Sequence, residues 1–366
     1  MKFTRRTIGK AAMLGLGSLS LGLGGCATEL TDEDVREMEQ LAGPWEGWLD
    51  QLNNANGFAD SPSIFGLLPG AGIVARDAGT NRYRVLYHRS APPLPWADLG
   101  TSTFVSKPAS TSLDASFNVP VGQLNYQFAV FGRKSDNKFY ISTWKADSTH
   151  PYTSASTSVI GWTVVGQRIF ASAPATTLAG GSLYLVGRTA NNVLYLRRNP
   201  LTGSLANPIN NSNWSGEYQA PNLPAGWVAQ GAPALANATL INNRVELFVR
   251  AVNNGQYRIF RARFNPSTNS WEANWSQIPT NGVTITTDPA AEYDTEEKIT
   301  LYLKGNGRIY QASQINGVWQ AFTPIGNNTF VGSPAALGNA ASPGSHWAVA
   351  KKSNNQLQVV ITQQGF

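Results

Sequence analysis

The 366-residue chain has one cysteine, three histidines and three methionines, and only 14% of its residues are charged. A single thiol cannot close an internal disulfide, so a disulfide-stapled scaffold is excluded. So low a charged fraction, with apolar residues at 42%, excludes a coiled coil and a disordered chain. The uncharged run from Ala11 to Leu23 is too short to cross a bilayer comfortably. His88, His150 and His346 are far apart in the chain, so neither a zinc set nor a Ser-His-Asp triad is written in it. Gly70-Ala71-Gly72 and Gly180-Gly181 stand in hairpins and not before helices, which argues against a phosphate loop. No metal and no cofactor is expected. What the chain does have is 35 Gly, 21 Pro, 10% aromatics and many Asn, Ser and Thr, the mixture of an all-β chain of short strands and tight turns.

Residues 1–25 read as an export signal, with Lys2, Arg5, Arg6 and Lys10 ahead of the uncharged run. Thr4-Arg5-Arg6-Thr7-Ile8-Gly9-Lys10 resembles the twin-arginine signal, and Leu23-Gly24-Gly25-Cys26 resembles the lipobox of bacterial lipoproteins. The resemblance implies cleavage before Cys26 and a diacylglycerol on its thiol, hence an exported protein anchored to the envelope membrane. Ala27, in place of Asp, points to the outer membrane or cell surface. Cleavage removes four cations, taking the net charge from +6 to +2. Residues 26–43 then form an acidic stalk, with Glu29, Asp32, Glu33, Asp34, Glu37 and Glu39 against Arg36 alone, and Thr31 with Asp34 to cap a short helix. The cations of the body are spaced along the chain, so nucleic acid is not an expected partner.

Residues 44–366 repeat. Pro62, Pro108, Pro174, Pro233, Pro289 and Pro334, each preceded by small or polar residues, begin six units. An apolar run follows, ending in Arg76, Arg133, Arg188, Arg250, Lys304 or Lys351. Then comes a turn rich in Asn and Gly, such as Asn191-Asn192 or Asn253-Asn254-Gly255, because these residues accept the positive φ of a tight hairpin. A third run follows, and Trp96, Trp162, Trp214, Trp275 or Trp319 marks a fourth. Six such units predict a six-bladed β-propeller of four-stranded antiparallel blades, with seven blades as the alternative count. The sixth unit stops without a Trp segment, whereas Pro44-Trp45-Glu46-Gly47-Trp48 precedes the first. Residues 44–52 are therefore expected to supply the outer strand of the last blade and close the ring. The Trp residues are expected to fill the spaces between blades, with Trp48 and Trp271 partly exposed.

The order small-Pro-Ala, apolar strand, Arg, Asn turn, Leu-Tyr and Trp resembles the repeat of bacterial propeller lectins of the fucose-binding kind. It implies shallow, repeated glycan sites and a carbohydrate-binding, lectin-like protein at the envelope. Arg76, Arg133, Arg188 and Arg250 recur at one place in the unit, with Tyr87, Tyr140, Tyr195 and Tyr257 following them. A tyrosine ring can stack on a pyranose and an arginine can bond its hydroxyls. Two readings are open: a ring of sugar sites, or arginines that lie along the neighbouring blade and bond turn carbonyls while the tyrosines pack. A protein-interaction scaffold at the envelope is a further possibility, favoured if one unrepeated patch dominates. The chain is expected to bind and not to catalyse. A propeller glycosidase or lyase would place unrepeated carboxylates at the axis. The run Glu292, Asp294, Glu296 and Glu297 reads instead as an exposed hairpin turn.

Overall fold

The structure is a computed structural model that describes residues 49–363, apart from 53, 67–70, 89–94, 114–126, 147–155, 203, 205–207, 239–243, 294–297 and 339–344. The leader, Cys26, the stalk, Trp45 and Trp48 lie outside the described residues.

After β1 (Leu49–Leu52), six antiparallel sheets follow one another. The first comprises β2 (Ser63–Gly66), β3 (Ala71–Arg76), β4 (Arg82–His88) and β5 (Ala97–Thr103). The second comprises β6 (Ala109–Ser112), β7 (Gln127–Arg133), β8 (Phe139–Ala146) and β9 (Ser156–Val164). The third holds β10 (Ala175–Ala179), β11 (Ser182–Arg188), β12 (Leu194–Pro200) and β13 (Tyr218–Gln219). In the fourth, β14 (Val228–Ala238), β15 (Arg244–Asn253) and β16 (Gln256–Asn265) carry an outer strand in two pieces, β17 (Ser270–Trp271) and β18 (Ser276–Ile278). The fifth, β19 (Ala290–Tyr293), β20 (Ile299–Gly305) and β21 (Arg308–Ile315), is split likewise into β22 (Val318–Trp319) and β23 (Thr323–Pro324). The sixth has β24 (Ala335–Gly338), β25 (Ser345–Lys351) and β26 (Leu357–Gln363), and its outer strand is β1, with Leu52 opposite Leu357. The protein is thus an all-β, six-bladed propeller closed by its N-terminal strand, and no open seam separates first blade from last.

Small side chains at the axis follow from geometry, because six inner strands converge there. Ser63, Ala109, Ala175, Ala234, Ala290 and Ala335, each next to its repeat proline, are all between 7 and 9% exposed. Larger side chains pack between neighbouring blades. Phe65, Val74 and Val85 of the first blade meet Phe128, Val130 and Trp144 of the second in one buried cluster. The repeat tryptophans fill such spaces: Trp162 lies 4.5 Å from the Phe104 ring and donates to the Leu99 carbonyl, and Trp319 meets Phe248 edge-on.

Glycine before the repeat arginine has a packing cause. Tyr83 and Phe104 stack with centroids 4.0 Å apart, as do Phe139 and Phe170. The first pair lies on Gly132 and the second on Gly187, where a Cβ would overlap the rings. The closing seam is polar. Asn54, just past β1, bonds Gln356 through its backbone and donates 2.8 Å to Asp77 through its side chain. Asp77 is buried, and that burial would raise its pKa. Hydrogen bonds from Asn54, from Thr80 through backbone and hydroxyl, and from Asn56 outweigh it, so the carboxyl sits below the usual range.

Gly132→Ala and Gly187→Ala are expected to cost about 1–3 kcal/mol each by overpacking, whereas Gly161→Ala, whose Cβ meets open space, leaves stability within about 0.5 kcal/mol; urea melts distinguish them. Because the folded-state pKa of Asp77 is depressed, its contribution is present above the unfolded carboxylate pKa and is lost as pH falls through the folded value. Asp77→Ala should therefore lower the denaturation midpoint at neutral pH and leave a smaller difference from wild type at strongly acidic pH.

Candidate functional site at the axial mouth

The six segments that lead into the inner strands run across one face of the ring; five are fastened on both sides by the bonds below, and in the fourth blade Gln230 lies opposite Arg250 in the β14–β15 ladder. In those five the segment's amide donates to the repeat cation's own carbonyl: Ala59 to Arg76, Val105 to Arg133, Ala171 to Arg188, Thr286 to Lys304 and Val331 to Lys351, all at 2.8–2.9 Å. Each segment's carbonyl accepts from the cation of the preceding blade. Arg76 bonds Phe104 O, Arg133 bonds Phe170 O, Arg188 bonds Gly231 O, Arg250 bonds Thr286 O, Lys304 bonds Val331 O and Lys351 bonds Phe58 O and Ala59 O. Four of the cations also hold a turn asparagine: Arg76 with Asn81, Arg133 with Asn137, Arg188 with Asn192 and Lys351 with Asn355. Those asparagines have φ between 56 and 64°, the left-handed region that asparagine tolerates.

These contacts gather the cations around one opening. Arg133, Arg188, Arg250, Lys351 and Lys107 line a cavity of about 560 Å³ at the mouth of the axial channel, with Asp60 and Asp288 as its carboxylates. Burial pushes Arg188 below the ordinary arginine range; Asp288 opposes that, while like-charge repulsion from Arg133 and Arg250 adds to it. Burial lowers Arg133, Lys304 and Lys351 in the same direction. Arg188 thus stands close enough to Arg133 and Arg250 to be repelled by both in a partly dry setting. Hydroxyls of Ser106 and Ser172 complete the wall, but they are spent internally, accepting from the Arg133 and Arg188 amides and donating to the next carbonyl.

The tyrosines do not join this mouth. Tyr140 bonds Asp136 and its ring carries Lys134 at 4.3 Å. Tyr195 bonds Gln219, and Arg168 lies 3.6 Å over its ring. Tyr257 lines a separate groove of about 490 Å³ between the fourth and fifth blades, with the Arg250 guanidinium 5.1 Å from its ring. Tyr87 is buried opposite Gly72 and bonds Ser156, whereas the residue opposite Arg76 is Tyr83. The residues that form the mouth wall were missed in the sequence. They are the two positions before each repeat proline: Asp60-Ser61, Ser106-Lys107, Ser172-Ala173, Gly231-Ala232, Thr287-Asp288 and Gly332-Ser333. A phenylalanine four positions before the proline, at Phe58, Phe104, Phe170 and Phe330, is the accompanying signal.

Glu292 corrects another expectation. It lies in β19, buried, and not in an exposed turn; Asp294, Glu296 and Glu297 lie outside the described residues. Its carboxylate accepts from the Tyr302 hydroxyl at 2.6 Å and meets Nδ1 of His346 from the sixth blade. Among the described residues no three His, Cys, Asp or Glu side chains gather as a metal site.

No protein-family model and no curated relative matches the sequence. Solved structures do match in fold. AofleA from Arthrobotrys oligospora aligns at TM-score 0.61 and 12% identity, covering 87% of each chain. NanB sialidase from Streptococcus pneumoniae, as a K499G mutant, aligns at 0.56 and 10% identity, covering 88% of this chain and 71% of that one. A luciferin-regenerating enzyme aligns at 0.51 and 11% identity, covering 87% and 96%. These matches correct the expectation that the chain does not catalyse. Two proteins named as enzymes share its fold, and a fold does not by itself decide between binding and catalysis.

Glu292→Ala is expected to cost about 1–3 kcal/mol, because it takes the shared carboxylate from a buried histidine and a buried tyrosine hydroxyl. Denaturant midpoints check this, with Tyr302→Phe as the milder variant at about 1 kcal/mol.

Proposed function

We propose that this protein is a carbohydrate-binding propeller that takes its ligand at the axial mouth, tethered to the bacterial envelope through a lipid on Cys26. The observation that carries the binding site is the convergence of the repeat cations on one polar cavity of about 560 Å³, within the range of small-molecule sites. Its wall offers guanidinium and ammonium donors in a fixed array, which suits the hydroxyls of a sugar. Arg133 and Arg188 support this reading best. Each spends Nη1 on its turn asparagine and a neighbouring carbonyl, and among the described residues Nη2 of each has no protein partner. The tether and the export route rest on the leader and the cysteine that follows it.

The groove at Tyr257 is a second reading, favoured by its inter-blade position and its neighbours Arg258 and Gln277. A glycan-array screen of the protein, followed by calorimetry on any hit, separates the two. Loss of about tenfold or more in affinity on Arg188→Ala, with Tyr257→Ala unchanged, places the sugar at the mouth; the reverse places it in the groove. Release of a shortened sugar during the titration would make the protein an enzyme acting on its ligand. Failure to bind any glycan would leave an envelope protein-interaction scaffold as the better account.

A further inference from the structure

The position just before the repeat proline is Ser61, Ala173, Ala232 or Ser333 in four units, and Lys107 or Asp288 in the second and fifth. Those two blades face each other across a six-membered ring. Their side chains meet, with Lys107 Nζ 3.5 Å from Asp288 Oδ2, and are only 16 and 18% exposed. Arg250 approaches the same carboxylate at 3.7 Å. Oδ1 of Asp288 fills the space over Gly231, where any Cβ would collide with it, and Gly231 has a φ of 69°. An ion pair this far removed from water adds little net stability, because desolvation offsets the attraction. Its placement, once per ring and over the opening, calls for another explanation.

We propose that the mouth recognises an acidic saccharide by its carboxylate, and that Asp288 is the internal anion which that carboxylate displaces from Lys107 and Arg250. This deepens the carbohydrate reading and rests on it. Three arginines on consecutive blades, Arg133, Arg188 and Arg250, line the cavity together with Lys107. Against them stand Asp60, which Arg76 already neutralises at 2.6 Å, and Asp288. The arc from the second to the fourth blade therefore has more positive charge than its own carboxylates balance. A neutral sugar leaves that excess in place; a carboxylate removes it, accepting from the Nη2 groups that Arg133 and Arg188 leave unspent. Repulsion among Arg133, Arg188 and Arg250 falls when the anion sits between them.

The test is calorimetric titration of the full chain with trigalacturonate and with its methyl ester, which keeps the sugar and removes the charge. The acid is expected to bind about tenfold or more tightly than the ester, an advantage that shrinks as salt rises. Asp288→Asn removes the competing anion while keeping its shape and should tighten binding of the acid severalfold, with little effect on the ester. Equal binding of acid and ester, or array hits confined to neutral glycans, would overturn the inference and leave the carbohydrate reading standing. Acid binding that Asp288→Asn does not alter would move the anion site away from the mouth, and a thermal melt of the variant keeps that result interpretable. No binding of any saccharide, charged or neutral, would sink both readings.

Discussion

The ring depends on one interaction made six times: the cation that ends each second strand bonds a backbone carbonyl in the segment leading into the next blade. A propeller has no helix or third layer to hold its sheets together, so each blade must be registered against its neighbour by contacts that repeat. The apolar surfaces between blades provide most of the burial but little directional register. A charged donor on a carbonyl does provide register, because it tolerates little error in distance or angle. It also satisfies a carbonyl that would otherwise turn inward beside the axis. Lys351 does this at the closing seam, holding Phe58 O and Ala59 O where the last blade meets the first.

That solution forces the electrostatics of the mouth. Six side chains that must reach the next blade near the axis bring their charges close together, and the structure answers unevenly around the ring. Arg76 is met by Asp60. Lys351 has three N–H donors and three acceptors around it, two carbonyls and Asn355. Arg133 and Arg188, which line the cavity, have five donors each and use fewer. The choice of arginine on the second, third and fourth blades thus has a chemical consequence that lysine would not have. A structural role does not exhaust Arg133 and Arg188: Nη1 fastens each to its turn asparagine, while Nη2 has no partner among the described residues.

The architecture was legible because repetition multiplies weak signals. One Pro-Ala step or one Asn turn means little, but six in the same order define a blade, and the missing Trp segment of the last unit identified the strand that closes it. That Arg133 and Arg188 bond carbonyls of the neighbouring blade was also visible in the sequence. The mouth itself was harder to see, since its wall is assembled from residues such as Lys107 and Asp288 that are some 180 positions apart in the chain and adjacent only once the ring is shut. Aligning the units on the proline would have exposed those two charges against a background of Ser and Ala. Glu292 was misjudged for a related reason. Its neighbours in sequence are acidic, but its partner His346 belongs to the next blade, and no local pattern announces a contact between sheets. Tyr87 follows Arg76 in the chain, but strand register sets it opposite Gly72 and away from that cation.

Symmetry explains why departures from the repeat carry more functional information than the repeat does. A sixfold arrangement can present a side chain six times at its rim, giving up to six equivalent sites, or bring six side chains to its axis, giving one. At the axis the copies coincide, so a ligand without sixfold symmetry must be oriented by whatever breaks the pattern. Here the pattern is broken by two charges on opposite blades, by Asp60 on one blade, and by lysine in place of arginine on the last two. Lys107 and Asp288 are tolerated because the position before the proline lines the opening and not the packed space between sheets, where Gly132 and Gly187 admit no side chain at all. The interior therefore fixes the repeat, and the mouth is the part of the molecule that is free to acquire a specificity of its own.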